Sequence, residues 1–122
     1  MVNDSIIRKA IFAAKKSNVL RAKVGCCLFT DSGNIICYTS NCKVYGTDGK
    51  FTIHAEERLL MKICRLNINR FGPLNVLVVR WLKGTNSIGS AKPCSNRCSY
   101  LLGKTGFRVY YSDENGEIRK LA

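Results

Sequence analysis

A chain of 122 residues with 46% hydrophobic and 9% aromatic content is long enough for one folded domain, 1–122, and its composition excludes a disordered polymer. Twenty Lys and Arg against eight Asp and Glu leave a net charge of +12, which points to an anionic partner or substrate without specifying any chemistry. The longest apolar runs, such as Val76-Leu77-Val78-Val79, are too short to span a bilayer, and Met1-Val2-Asn3-Asp4 lacks the build of a signal peptide, so an intracellular location away from membranes is expected.

In chain order, Ser5 precedes Ile6, Ile7, Ala10, Ile11 and Ala14, the spacing of an amphipathic helix that ends near 17–18. Residues 22–30 and 34–40 are β-like runs joined by Asp31-Ser32-Gly33, a hairpin signal. Both runs are apolar on successive residues, which predicts a sheet covered on both faces. Residues 41–51 are polar and glycine-bearing and read as a loop. Helical spacing returns from 53 to about 66, with Ala55, Leu59, Ile63 and Leu66 on one stripe. Phe71-Gly72-Pro73 breaks it, and 74–81 is a third, buried strand. Residues 83–92 are loose. Pro93 opens a third helix that Gly103 stops, residues 107–111 form a fourth strand, and Asn115-Gly116 is a type I′ turn signal leading to a short fifth strand. The order predicts one sheet of about five strands with helices packed against it.

The chemistry-bearing residues cluster at two predicted helix starts. The single histidine, His54, begins one as His54-Ala55-Glu56, and Pro93-Cys94-Ser95-Asn96-Arg97-Cys98 begins the other. His54, Cys94 and Cys98 make three ligands, the number a catalytic zinc uses when it keeps one position open. Glu56, two residues past His54, is placed to move protons rather than to ligate. Seven cysteines without an export signal read as reduced thiols. Cys26, Cys27, Cys37 and Cys64 are expected as small core hydrophobes, and for Cys42, beside Asn41, an approach to the pocket is the less favoured reading. Trp81, Tyr100, Tyr110 and Tyr111 are either base-stacking or core aromatics.

His54-Ala55-Glu56 followed by Pro93-Cys94 and Cys98 resembles the zinc-dependent cytidine/deoxycytidylate deaminase superfamily, whose signature is H-x-E…P-C-x-x-C. The element order is similar as well, so the resemblance implies a three-layer α/β/α deaminase fold with a mixed sheet and a C-terminal β-hairpin. It implies Zn2+ held by His54, Cys94 and Cys98, Glu56 as catalytic proton shuttle, and Asn41 on the substrate sugar, ahead of Asn34 and Asn86. It also places Ala55 and Pro93 beside the base, with Lys92 and Arg97 nearest a phosphate. The cysteines depart from the signature, being separated by three residues rather than two, a spacing that also puts two ligands on one helical face. Cytosine is favoured over adenine, since Thr52-Ile53 precedes His54 where the tRNA adenosine branch carries an Asn-x-x-x-His-Ala-Glu segment.

Three functions stay open. From Arg58 to Ser112 there are ten basic residues and no Asp or Glu, a tract suited to phosphates. The first reading is therefore a deaminase of cytosine in nucleic acid, the second a deaminase of free cytidine, CMP or dCMP, and the third a zinc-containing nucleic-acid-binding module without turnover. A homo-oligomer is compatible with each.

Overall fold

A computed structural model describes residues 2–19, 23–46, 49–91 and 106–121. Helix α1 (Asp4–Lys15) leads into strands β1 (Lys23–Thr30) and β2 (Ile35–Ser40), then β3 (Cys42–Gly46) and β4 (Gly49–Ile53). Helix α2 (Ala55–Ile63) and a 3₁₀ turn (Ile68–Phe71) follow, and β5 (Leu74–Leu82), β6 (Ser87–Gly89), β7 (Arg108–Ser112) and β8 (Ile118–Lys120) complete the described elements. The third helix expected from Pro93 lies outside the described residues.

The main sheet has the order β2-β1-β5-β7-β8, with β6 also paired to β5. It is mixed: β5 and β7 run parallel, and the other pairs are antiparallel. Strand side chains alternate between faces, so the apolar runs of β1 and β5 feed two cores. Cys26, Leu28, Val76 and Val78 pack on one face with Ala55, Leu59 and Ile63 of α2. Cys27, Phe29, Leu77 and Val79 pack on the other with Ile6 and Ala10 of α1. This is the expected three-layer α/β/α arrangement. No helix among the described residues is long and apolar enough to cross a membrane.

Helix α1 is capped by Asn3, one position before the helix begins, whose Oδ1 accepts from the Ile6 amide at 3.0 Å. Ala10, Ala13 and Ala14 are buried, and small side chains let the helix lie close to β1. The contact point is Gly25, where an added Cβ would stand 2.1 Å from the Ala10 carbonyl oxygen and 2.5 Å from the Ala14 nitrogen.

Three expectations are corrected. The 41–51 loop is a β-ribbon, with β3 and β4 pairing from Cys42↔Ile53 to Gly46↔Gly49 apart from the main sheet. The polar, glycine-bearing sequence hid it because its ladder does not need an apolar face. Within the loose 83–92 segment, β6 pairs with Arg80–Leu82 of β5, and Gly89 lies against Leu82. The C-terminal hairpin is present as β7–β8, but its turn is not type I′, which requires positive φ at both central residues. Gly116 has φ +80, Asn115 does not have positive φ, and the Gly116 amide donates to Asp113 O at 3.0 Å. This is a type I turn followed by a glycine bulge.

Asp113 organises that turn. Its Oδ1 accepts from the Asn115 and Glu117 amides, each at 2.9 Å, and its Oδ2 from Arg119 Nε at 2.6 Å. The Arg119 hydrogen bond is the main reason that the carboxyl is held below its usual range, with the two amides assisting. A lowered folded value stabilises the fold above the unfolded value and loses that contribution as pH falls through the folded one. Urea midpoints are therefore expected to hold from neutrality down to about pH 4 and to drop below it. Asp113→Asn should lower the neutral midpoint and flatten the acid limb, as unfolding curves across that range would record. Gly25→Ala should destabilise by about 3 kcal/mol, because backbone atoms cannot yield to the new methyl. Gly84→Ala, where nothing lies within 4 Å, should change the midpoint by less than about 0.5 kcal/mol.

Candidate active site

The end of β2 and the start of α2 are built as one unit. Thr39 Oγ1 donates to the Ala55 carbonyl at 2.8 Å, and Arg58 Nη1 donates to the Ser40 carbonyl at 2.7 Å. One bond ties strand to helix at its first residue, and the other ties it back one turn later. The segment His54-Ala55-Glu56 therefore cannot shift relative to the sheet without breaking buried hydrogen bonds.

His54 is the N-cap of α2, with extended backbone at φ −66 and ψ 149, and its side chain is exposed. Its amide donates to Glu57 Oε1 at 3.3 Å, so Glu57 anchors the helix start. Ala55 is fully buried in the α2 core, and Glu56 is 4% exposed in the first turn. A carboxylate is costly to bury, and placement at a helix N-terminus reduces that cost through the partial positive charge of the free amides. The exposed imidazole and the buried carboxylate thus stand one residue apart, the first open to a ligand and the second withdrawn from solvent.

Asn41 directly follows β2 and is buried. Its Oδ1 accepts from the Val24 amide at 2.9 Å, while its own amide donates to the Val24 carbonyl at 3.0 Å. The side chain thereby continues the β1–β2 ladder one step past its end. Ser17 Oγ, just beyond α1, donates to the Asn41 carbonyl at 2.8 Å, and the buried Lys23 ammonium donates to the Ser17 carbonyl. Asn18 adds two bonds to the Lys43 backbone, at 3.1 and 2.6 Å. Asn34 lies at the opposite end of the hairpin, its amide bonded to Thr30 Oγ1, and Asn86 is in the turn after β5 with φ 50.

The remaining expected site residues, Lys92, Pro93, Cys94, Arg97 and Cys98, lie outside the described residues, as does Tyr100. The chain enters that segment from Ala91, which is buried in the α2 core and whose amide donates to the Ser112 carbonyl at 2.8 Å. Among the described residues no three metal-binding side chains assemble. Burial pushes the Cys27 thiol up to about 12 and also raises Cys37, so both are protonated core thiols and poor ligands. Cys26 is buried as expected, whereas Cys64 is exposed, its thiol donating to the Leu60 carbonyl at 3.2 Å as a C-cap rather than a core group. Tyr110 packs on Phe29 at 6.4 Å between ring centroids, and Trp81 lies under the Lys15 ammonium.

Sequence reasoning missed three features. The hydroxyls of Ser17 and Thr39 carry the two buried bonds that place Asn41 and Ala55, and a lone Ser or Thr has no distinguishing pattern. Arg80 lies opposite Val24 in the ladder, and its Nε is buried without a hydrogen-bond partner among the described residues. The basic tract does not form one surface. Arg108 is neutralised by Asp31 at 2.8 Å at the far end of the sheet, while Arg58, Lys62 and Arg65 share a groove with Lys16 of α1.

Comparison with known proteins places this geometry. The family described as the cytidine and deoxycytidylate deaminase zinc-binding region matches residues 2–112. A cytidine deaminase from Burkholderia pseudomallei superposes with a TM-score of 0.70 at 20% identity, covering 100% of this chain and 93% of that one. The apo dCMP deaminase from the cyanophage S-TIM5 gives 0.66 at 22% identity, covering 91% and 82%. No curated protein matches the chain.

Asn41→Ala should leave the Val24 amide without its acceptor and lower stability by about 1–3 kcal/mol, measured by chemical denaturation. A loss below about 0.5 kcal/mol would show that the side chain does not secure the strand end.

Proposed function

This chain belongs to the cytidine and deoxycytidylate deaminase zinc-binding family, whose members are hydrolytic deaminases, and from that premise we propose that it converts cytosine to uracil within a nucleic-acid strand. The observation that carries the choice of substrate is charge. A net +12 on 122 residues, four cations of it in one groove, is far more than a single phosphate needs.

The cofactor is zinc, as the family implies. The described donors fit it. The only histidine is held exposed at a helix start, and a buried carboxylate follows two residues later. The buried thiols at Cys27 and Cys37 are unsuited to it, and Cys94 and Cys98, the cysteines of the Pro-Cys motif, are the thiolates that the family signature pairs with His54. Bound zinc would supply the electrophilic centre that makes water a nucleophile near neutral pH.

The chain's own residues do the rest. Glu56 accepts the proton released by the attacking water and delivers it to the ring nitrogen beside C4. It then carries the second proton to the exocyclic amine, so water enters, the C4–N bond breaks and ammonia leaves. Burial serves this role, since a withdrawn carboxylate exchanges protons with the substrate rather than with solvent. Asn41, fixed through Oδ1 to Val24 at the end of β2, is the residue assigned to the substrate sugar. By resemblance to the family, Ala55 and Pro93 are assigned to the base, and Lys92 and Arg97 to a target phosphate.

A second reading has its own support. The two structures compared above are named as cytidine and dCMP deaminases, so a free cytidine or dCMP substrate is the alternative, while the β7–β8 hairpin is an arrangement that free cytidine deaminases share with certain DNA-acting ones and favours neither reading.

Purified protein should carry about one zinc per chain by metal analysis, and Cys98→Ala should lose it. Full retention of metal in that variant would remove Cys98 from the ligand set. Glu56→Ala should keep both zinc and fold yet lose deamination of a cytosine-containing single strand by at least about a hundredfold. Activity near wild type would exclude Glu56 as the proton carrier.

A further inference from the structure

We infer that the groove between α1 and α2, along the open edge of β2, is the face on which a single-stranded nucleic acid lies outside the catalytic site. The inference deepens the nucleic-acid reading above and rests on it. Strand β2 is the last strand on its side of the sheet, with α1 against one face and α2 against the other. The two helices overhang the edge and leave a cavity of about 540 Å³. Lys16 at the C-cap of α1, Arg58 and Lys62 from α2 and Arg65 just past its end line it, together with Tyr38 and Met61, and among the described residues no carboxylate does.

Each feature of the groove suits a phosphate chain. Arg58 and Lys62 stand i, i+4 on one face of α2, about 6 Å apart along its axis, and Arg65, just past the helix end, lines the same groove, so three cations follow one another along it. One mononucleotide phosphate would use one or two of these cations, whereas a strand uses the row. Arg58 donates to the Ser40 carbonyl and Lys62 to the Tyr38 carbonyl, so both cations cover the strand edge and are held in register with it. This edge would otherwise offer bare carbonyls, which repel phosphate. An arginine retains four further N–H donors and a lysine two, enough to serve both backbone and ligand.

Aromatic surface lies within the same face. Phe12 is 43% exposed and meets Tyr38 edge to face at 5.8 Å. Lys16 sits over the Phe12 ring at 4.5 Å and Lys62 over Tyr38 at 5.6 Å, so the ammonium groups are positioned by the rings rather than waving in solvent. Cations interleaved with exposed rings are the composition of a single-strand platform, where phosphates meet the charges and bases meet the rings. The groove also leads to the candidate site. Its floor includes Thr39 and Ser40, which immediately precede Asn41, and Thr39 bonds the residue between His54 and Glu56.

The test uses a thymidine-only oligonucleotide, which carries no C4 amine and so reports binding without turnover. Lys16→Glu/Arg65→Glu should weaken binding about tenfold or more and flatten the plot of log K against log salt by about 1.4 units, since each lost phosphate contact removes about 0.7. Arg70→Glu/Lys120→Glu, with the same charge change on exposed residues away from the groove, should alter both far less. Should charge reversal unfold the protein, Lys16→Gln/Arg65→Gln carries the same test. Equal losses in the two pairs, or no loss in the groove pair, would overturn the inference. Uracil formation separates it from the substrate reading. A wild type that deaminates cytosine-containing strands, with groove variants that bind and react as well as it does, overturns the groove alone. A wild type that binds strands through the groove but converts only dCMP overturns the substrate reading and leaves the groove standing.

Discussion

The close approach of α1 to β1 at Gly25 is the constraint from which the candidate site is built. The absence of a side chain there lets the backbone of Ala10 and Ala14 rest on the strand. A helix held farther out by even one methyl would carry Ser17 away from the Asn41 carbonyl, and the Lys23 and Asn18 bonds would lengthen with it. Asn41 in turn pairs with Val24 and extends the ladder to the sheet's edge. From that edge Thr39 and Ser40 hold the start of α2. A packing contact on one face of the sheet is thus transmitted through four hydrogen-bonded residues to the exposed His54 and buried Glu56 on the other.

This arrangement divides the labour between rigidity and access. The two cores fix the sheet and leave no room for α2 to rotate, because Ala55, Leu59 and Ile63 are all buried against it. Glu56 is withdrawn from solvent by that packing. His54 remains outside because it precedes the first helical turn. The proposed chemistry uses this contrast between an exposed imidazole and a buried carboxylate two residues on.

Much of the fold was legible because it rests on pattern. Successive apolar residues in β1 and β5 announced a sheet covered on both faces, and i, i+3/i+4 spacing announced α1 and α2. The β3–β4 ribbon was not legible, since a polar, glycine-bearing run reads as a loop whether or not its backbone groups pair. The glycine bulge after Asn115 imitates a type I′ signal in sequence and is distinguished only by the φ of Asn115. Cys64 was expected in the core because a free cysteine on a helix behaves as a small hydrophobe, but the helix ends before it and leaves it exposed as the C-cap. The pairing of His54 with Glu56 could be read from spacing, whereas the groove could not: Lys16 and Arg65 are far apart in the chain and meet only because β2 is an edge. The linear tract from Arg58 to Ser112 suggested a phosphate surface, but folding sends Arg108 to Asp31 at the other end and recruits Lys16 from outside the tract.

The proposed zinc site at the end of β2 and the basic groove along the edge of the same strand are thus adjoining parts of one structure. The most direct test of this account is a competition in which zinc-loaded protein meets a cytosine-containing single strand and dCMP, at equal cytosine concentration, in one reaction. Uracil should form in the strand at least about tenfold faster at low salt, with the preference shrinking as salt rises. Exclusive conversion of dCMP, unaffected by salt, would contradict it.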